Sequence, residues 1–317
     1  MPNFKNPSPP ADGYRGRFAP SPTGPLHAGS LVAALGSWLD ARQNQGKWLL
    51  RIEDLDTPRC IPGVDQEILR QLLACGLSWD EEPTWQSKHQ ERYKKALERL
   101  NQLQIIYPCT CSRQDIANVL EARGVMTPRN QEMIYPGTCR PHQIGAYDEV
   151  ERSSAQVAWR LALPPRITMH FEDLVLGKQT QNLNREVGDF VLHRRDGVTT
   201  YQLAVVVDDA EQKITHIVRG ADLLNNTARQ IYLQRVLGYE TPSYLHLPLV
   251  LDEDGEKLSK QTLASAIHTE NAQQALQELR KAAMHLGLRD LPDGKETTIA
   301  QWLLAATQAW DRKITSS

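Results

Sequence analysis

The stretch Gly16-Arg17-Phe18-Ala19-Pro20-Ser21-Pro22-Thr23-Gly24-Pro25-Leu26-His27-Ala28-Gly29-Ser30 decides the reading of this chain. Its three prolines exclude a regular element through Pro25, and from His27 onward a helical pattern begins, with Leu31, Leu35, Trp38 and Leu39 on one face. A stiff loop therefore delivers a histidine and a glycine to a helix N-terminus. The first N–H groups of a helix lack intrahelical partners and its dipole favours negative charge, so this is a place for phosphate. Gly29 lets a nucleotide approach the backbone, and His27 is placed to donate to a phosphate oxygen.

Working outward, Lys47 to Asp56 reads Lys-Trp-Leu-Leu-Arg-Ile-Glu-Asp-Leu-Asp, an apolar run ending in acids. It is expected as a buried parallel strand carrying Glu53, Asp54 and Asp56 to a crevice, which with the preceding loop and helix makes the first half of a doubly wound sheet. Residues 63–76 and 86–103 follow as amphipathic helices, buried through Ile68, Leu69, Leu72 and Leu73 in one and Tyr93, Leu97 and Leu100 in the other. Trp79 and Trp85 between them read as packing anchors.

The pattern then changes. Cys109 and Cys111 stand one residue apart, and Tyr135 and Cys139 follow. Thiolates from separate turns are a usual way to build a tetrahedral zinc site, with Tyr135 as the candidate fourth ligand and His142 or water as alternatives. Residues 121–131 are expected to project from this knuckle as a helix end and loop. Val157–Leu163 and Ile167–Phe171 are expected as strands of the same inserted subdomain. After Gly188 the nucleotide fold is expected to resume, with strands at Asp189–His193 and Thr200–Ala204 around an Asp-Gly turn, a strand at Ile214–Gly220 delivering Arg219, and a helix from Arg229 to Leu237. The loop Leu251–Gln261 carries Lys257 and Lys260 around Ser259, two ammonium groups able to swing onto a triphosphate. Helices complete the chain, one at Asn271–His285 with Leu276, Leu279 and Met284 apolar and one bearing Trp302, Leu303, Leu304 and Trp310.

The composition agrees with a soluble globular protein: 317 residues suffice for two or three domains, and no apolar run approaches the roughly 20 residues of a membrane span. The five cysteines suit a reducing compartment and metal ligation more than a disulfide framework, which points to the cytoplasm. A net charge of only −2 means that any RNA contact comes from local patches; Arg140, Arg152, Arg194, Arg195 and the Arg280-Lys281 pair are the candidates.

His27-Ala-Gly-Ser30 and Lys257-Leu-Ser-Lys260 resemble the two signatures of class I aminoacyl-tRNA synthetases, and Arg17-Phe-Ala-Pro-Ser-Pro-Thr-Gly24 with Arg51-Ile-Glu-Asp-Leu-Asp56 resembles the glutamyl branch. The match runs from about residue 16 to 261. Only 57 residues follow Lys260, too few for the large anticodon-binding region of that branch. The short C-terminus and the cysteine knuckle are similar to the glutamyl-queuosine tRNA(Asp) synthetases.

This resemblance implies a Rossmann-like α/β fold with an inserted zinc-knuckle and β subdomain. It divides the chain into a tail (1–15), a first catalytic half (16–108), an insert (109–187), a second half with the lysine loop (188–261) and a helical end (262–317). It implies activation of L-glutamate with ATP and Mg²⁺, and transfer to queuosine in the anticodon arm of tRNA(Asp), by a monomer without membrane contact. His27, Gly29 and Lys260 would bind ATP, with His27, Lys260 and Lys257 catalytic. Arg17, Phe18, Ala19, Pro20, Ser21, Glu53, Tyr201 and Arg219 would hold glutamate, and Cys109, Cys111, Tyr135 and Cys139 one structural Zn²⁺. Two positions depart from the signatures, Ser30 for a second histidine and Gln261 for a final serine. The alternatives are a shortened glutamyl-tRNA synthetase charging the 3′ end of tRNA(Glu), and a non-catalytic RNA-binding paralogue.

Overall fold

Strand β1 (Arg15–Phe18) leads through the proline loop into helix α1 (Ala28–Gln43), and the chain returns as β2 (Lys47–Ile52), parallel to β1 with Arg17 opposite Leu49. Residues 48–52 of β2 are all buried, as a strand covered on both faces must be. In this computed structural model the described residues are 13–126, 132–145, 147, 157–249 and 265–312.

Helix α2 (Val64–Ala74) precedes the short β3 (Thr84–Trp85), which extends the first sheet in the order β1-β2-β3, and α3 (Gln90–Gln102) follows. Next come β4 (Ile106–Cys109), α4 (Arg113–Ala122), β5 (Ala158–Leu161), β6 (Thr168–Asp173), β7 (Gly177–Asn182) and the single turn α5 (Leu183–Glu186). The chain continues with β8 (Val191–His193), α6 (Tyr201–Glu211), β9 (His216–Gly220), α7 (Leu224–Leu237) and β10 (Ser243–Leu247), then α8 (Ala272–His285) and α9 (Ile299–Ala309). A second sheet has the order β7-β6-β10-β9 and an antiparallel third the order β4-β5-β8. The first two sheets meet where the Thr215 N–H donates to the Arg15 carbonyl at 2.9 Å. Helix α1 covers this junction, and at Gly36 it lies so close to β10 that a Cβ would come within 2.7 Å of Leu247.

Several expectations are corrected. The tail ends earlier than residue 15, because Tyr14 is buried with its hydroxyl donating to Asp40 at 2.6 Å, and Arg15 opens β1. Thr200–Ala204 is not a strand: Thr200 is the N-cap of α6, a helix so deeply buried, through Leu203 to Asp209, that no apolar stripe marks it. The insert is not separate from the catalytic sheets. Its strand β6 pairs in parallel with β10, whereas β4 and β8, from the flanking halves, pair with β5. Strands β1, β3, β4, β7 and β10 were not expected. Leu73, Met284 and Leu304 point outward, at the edge of their helices' apolar faces.

Candidate active site

His27 is the N-cap of α1, as the proline loop predicts, and Ser30 closes a capping box with it. The His27 N–H donates to Ser30 Oγ at 2.7 Å, and the Ser30 N–H donates to His27 Nδ1 at 3.4 Å. An imidazole accepting at Nδ1 carries its proton on Nε2, so the main-chain N–H at position 30 sets the tautomer that makes His27 a donor. The serine hydroxyl itself serves the His27 backbone, accepting its N–H and donating to its carbonyl at 2.8 Å.

Arg17, Phe18, Ala19, Pro20, Ser21, His27, Gly29, Glu53, Tyr201 and Arg219 line one cavity of about 470 Å³. Five elements supply them: the end of β1 with its loop, the start of α1, the end of β2, and the facing ends of α6 and β9. Lys257 and Lys260 lie outside the described residues. The flanks of their segment stand at the same cavity, however. Pro248 and Leu249 line it, and Ala266 bridges to His27 while the Ile267 N–H donates to the Leu26 carbonyl at 2.9 Å.

Beneath one wall lies a buried charge cluster. Arg17 donates to Asp209 through Nε (3.1 Å) and Nη2 (3.4 Å); Arg51 Nη2 stands 2.8 Å from Asp209 and 3.5 Å from Glu53. Asp208 accepts from Gln86 (2.8 Å) and the Tyr93 hydroxyl (2.7 Å). Burial raises Asp208, against the pull of Arg51, while Arg17 and Arg51 overcome burial to hold Asp209 below the usual carboxylate range. Two guanidiniums face three carboxylates here, so one negative charge is in excess. Glu53 absorbs it: burial, only partly offset by Arg51 and Arg17, pushes its carboxyl up to about 7, and its buried Oε1 accepts no hydrogen bond from the described residues. An ammonium group at Glu53 would balance the cluster with the carboxylate ionised.

The opposite wall is cationic. Arg219 is buried and makes no ion pair among the described residues. Its Nε donates to His246 Nε2 (3.2 Å), Nη1 to Gln230 (2.9 Å) and the Tyr201 hydroxyl (3.3 Å), and Nη2 to Thr227 Oγ1 (2.8 Å) and the Leu223 carbonyl (3.3 Å). The two long bonds go to the cavity-lining partners Tyr201 and Leu223. All five N–H groups are thus engaged, and a carboxylate in the cavity would grip Arg219 bidentately by replacing the two long bonds.

Cys109, Cys111 and Cys139 gather elsewhere, their sulfurs within 4.8 Å of one another. The Tyr135 hydroxyl stands 3.4 Å from Cys109 Sγ and 3.6 Å from Cys111 Sγ, and accepts the Cys139 N–H at 2.7 Å. Zinc–thiolate bonds of about 2.3 Å put sulfurs roughly 3.8 Å apart, and Cys111 and Cys139 at 3.4 Å are near that. Burial raises the Cys111 thiol to about 11; at Cys139 burial is overcome by hydrogen bonds from Tyr135 and Thr110, which bring it down to about 6.

The candidate RNA contacts are mostly engaged. Arg140 pairs with Asp189, Arg194 with Asp196 and Asp56, and Lys281 with Glu278; Arg195 donates to the Thr110 carbonyl and Arg280 to that of Pro292, while Arg152 lies outside the described residues. Arg51, Asp208 and Asp209 were missed as site residues. Asp208 and Asp209 carry the signal that found Glu53, charge at the end of an apolar run, whereas Arg51 interrupts such a run.

A family model described as "tRNA synthetases class I (E and Q), catalytic domain" matches residues 14–302. A glutamyl-Q tRNA(Asp) synthetase of Burkholderia cenocepacia is 54% identical over 304 residues, 95% of this chain and 97% of that protein. One of Cupriavidus metallidurans is 52% identical, over 95% and 92% of the two chains. Among solved structures, the glutamate-tRNA synthetase of Elizabethkingia anophelis is similar with a TM-score of 0.75 and 26% identity, over 96% of this chain and 67% of that one. Among the described residues, no helix is long and apolar enough to cross a membrane. The match spans both walls of the cavity, and the chain belongs to the class I tRNA synthetases of the E and Q type, beside the glutamyl-Q tRNA(Asp) synthetases within them.

Proposed function

We propose that this cavity activates L-glutamate with ATP as glutamyl-adenylate and that the enzyme transfers the glutamyl group to queuosine in the anticodon of tRNA(Asp), in the cytoplasm. The observation that carries the amino-acid half is the pairing of one anionic and one cationic wall. Glu53 receives the α-ammonium; Arg219, with Tyr201 and Arg17, receives the side-chain carboxylate. Ser21 adds a hydrogen bond, and Phe18, Ala19 and Pro20 form the wall between.

Activation is attack by the glutamate α-carboxylate on the α-phosphorus of ATP, bound as its magnesium complex, with pyrophosphate leaving. Positioning and charge stabilisation do most of this work. His27 Nε2–H and the α1 N-terminus, approached closely over Gly29, hold the α-phosphate region, and Lys260, helped by Lys257, neutralises the departing pyrophosphate. The anticodon arm is presented where a full-length relative receives an acceptor end.

Replacing Arg219 by Leu tests the cationic wall. The expected result is a glutamate KM about 100-fold higher in ATP–pyrophosphate exchange, with the KM for ATP little changed, because a fully desolvated charge pair is broken. An unchanged glutamate KM contradicts the assignment. In the wild type, glutamine should sustain exchange on the order of 10⁴-fold less well, since it leaves the guanidinium unpaired.

Glu53 predicts a pH dependence. Because burial raises its carboxyl, the empty folded state holds that proton more tightly than the unfolded chain does. Its stabilising contribution is present below the unfolded value and is lost as pH climbs through about 7. Ammonium binding favours the ionised form, so kcat/KM for glutamate should rise with pH through about 7 and then level. Glu53→Gln should abolish this limb; its persistence assigns the limb to another group.

Cys109, Cys111, Cys139 and Tyr135 would hold one zinc ion, which supplies a closed structural cross-link with no position left for a reactive water. About one zinc per chain is expected in protein purified without chelator, and loss of that zinc in Cys111→Ser. Wild-type protein without zinc removes the proposal.

A further inference from the structure

Arg219 takes its orientation from outside the cavity. Its Nε–H points at His246 on β10, and the other nitrogen of that ring, Nδ1, is 2.6 Å from Oδ2 of Asp173 at the end of β6. Asp173 and His246 side chains are wholly buried, and β6 comes from the segment between the cysteine knuckle and the second catalytic half. Asp173 Oδ1 is itself fixed, accepting the N–H groups of Val175 (3.1 Å) and Leu176 (2.9 Å). With its carboxylate so anchored, Asp173 can only accept from His246, which places the imidazole proton on Nδ1 and leaves the Nε2 lone pair for Arg219. The Thr227 hydroxyl also stands 3.2 Å from Nε2 and can donate to it in this tautomer; the reverse tautomer would set an N–H against the Arg219 N–H. Burial holds His246 below its ordinary pKa despite Asp173, and Arg219 adds to this, so the ring stays neutral.

We propose that Asp173 and His246 are positioning residues for amino-acid selection: the Asp173 carboxylate fixes the His246 tautomer, and His246 fixes the plane of the Arg219 fork against the substrate carboxylate. Neither residue touches the cavity. This rests on the reading of Arg219 as the carboxylate grip, and it makes the β6–β7 hairpin part of glutamate recognition.

Asp173→Asn is the sharpest probe. Its amide oxygen must stay on the Val175 and Leu176 N–H groups, which turns the NH₂ toward His246 Nδ1 and forces the proton to Nε2. Loss of an aligned hydrogen bond to a charged group corresponds to about 10- to 100-fold. The glutamate KM in ATP–pyrophosphate exchange should rise by about that factor, with the ATP KM within about twofold of wild type and the preference for glutamate over glutamine reduced. His246→Leu should behave likewise, and His246→Gln, whose amide oxygen can occupy the Nε2 position, should restore most of the glutamate KM.

A wild-type glutamate KM in Asp173→Asn, or equal rises in both KM values, overturns the inference. If Asp173→Asn fails to fold, the His246→Leu and His246→Gln pair decides: equal glutamate KM values overturn it, rescue by Gln supports it. Arg219→Leu separates the two levels. Should it raise the glutamate KM while the Asp173 and His246 variants do not, only the positioning role falls; should it leave that KM unchanged, the cavity reading falls and this inference with it.

Discussion

Lys260→Ala is expected to slow glutamate-dependent ATP–pyrophosphate exchange by about 100- to 1000-fold, the usual effect of removing one preorganised donor from a developing negative charge. The loss should fall on kcat, with the glutamate KM nearly unchanged, if the ammonium serves the leaving pyrophosphate and not the amino acid, as proposed. Lys257→Ala should cost less. The assignment comes from the Lys257-Leu-Ser-Lys260 pattern, and the flanks of that segment support it, since Leu249 lines the cavity and Ala266 bridges His27. A Lys260→Ala enzyme with normal exchange refutes it.

The fold was legible where local chemistry set it. Prolines followed by His27 and Gly29 announced a helix start, and Trp48–Ile52, apolar on both faces but for Arg51, announced a parallel strand. Tyr201–Glu211 misled because Val205, Val206 and Val207 favour strands, yet the helix is enclosed on all sides and its surroundings override propensity. Strand partners were beyond reach: nothing in Thr168–Asp173 says that it lies beside Ser243–Leu247.

The site divides the same way. The cavity residues sit at element ends, where a charged or small residue after an apolar run is visible. The groups behind them are not. Asp209 under Arg17, and Asp173 behind His246 and Arg219, are acids whose importance arises only from partners distant in sequence. A buried charge is informative once its neighbours are known, because in isolation it would be too costly to keep.

The largest effect expected of the intact enzyme is its choice of acceptor. The cavity accounts for making an activated glutamate; the relatives that the chain matches over nearly their full length point to an unusual receiver. A hydroxyl of a modified base is recognised only by a surface shaped for it, so tRNA(Asp) without queuosine should be a poorer acceptor by at least about 1000-fold. The direct measurement is to incubate the enzyme with labelled glutamate, ATP and either queuosine-bearing tRNA(Asp), queuosine-free tRNA(Asp) or tRNA(Glu), then digest each RNA and locate the label. The account predicts label in the anticodon fragment of queuosine-bearing tRNA(Asp) alone; label at the 3′-terminal nucleotide of tRNA(Glu) would contradict it.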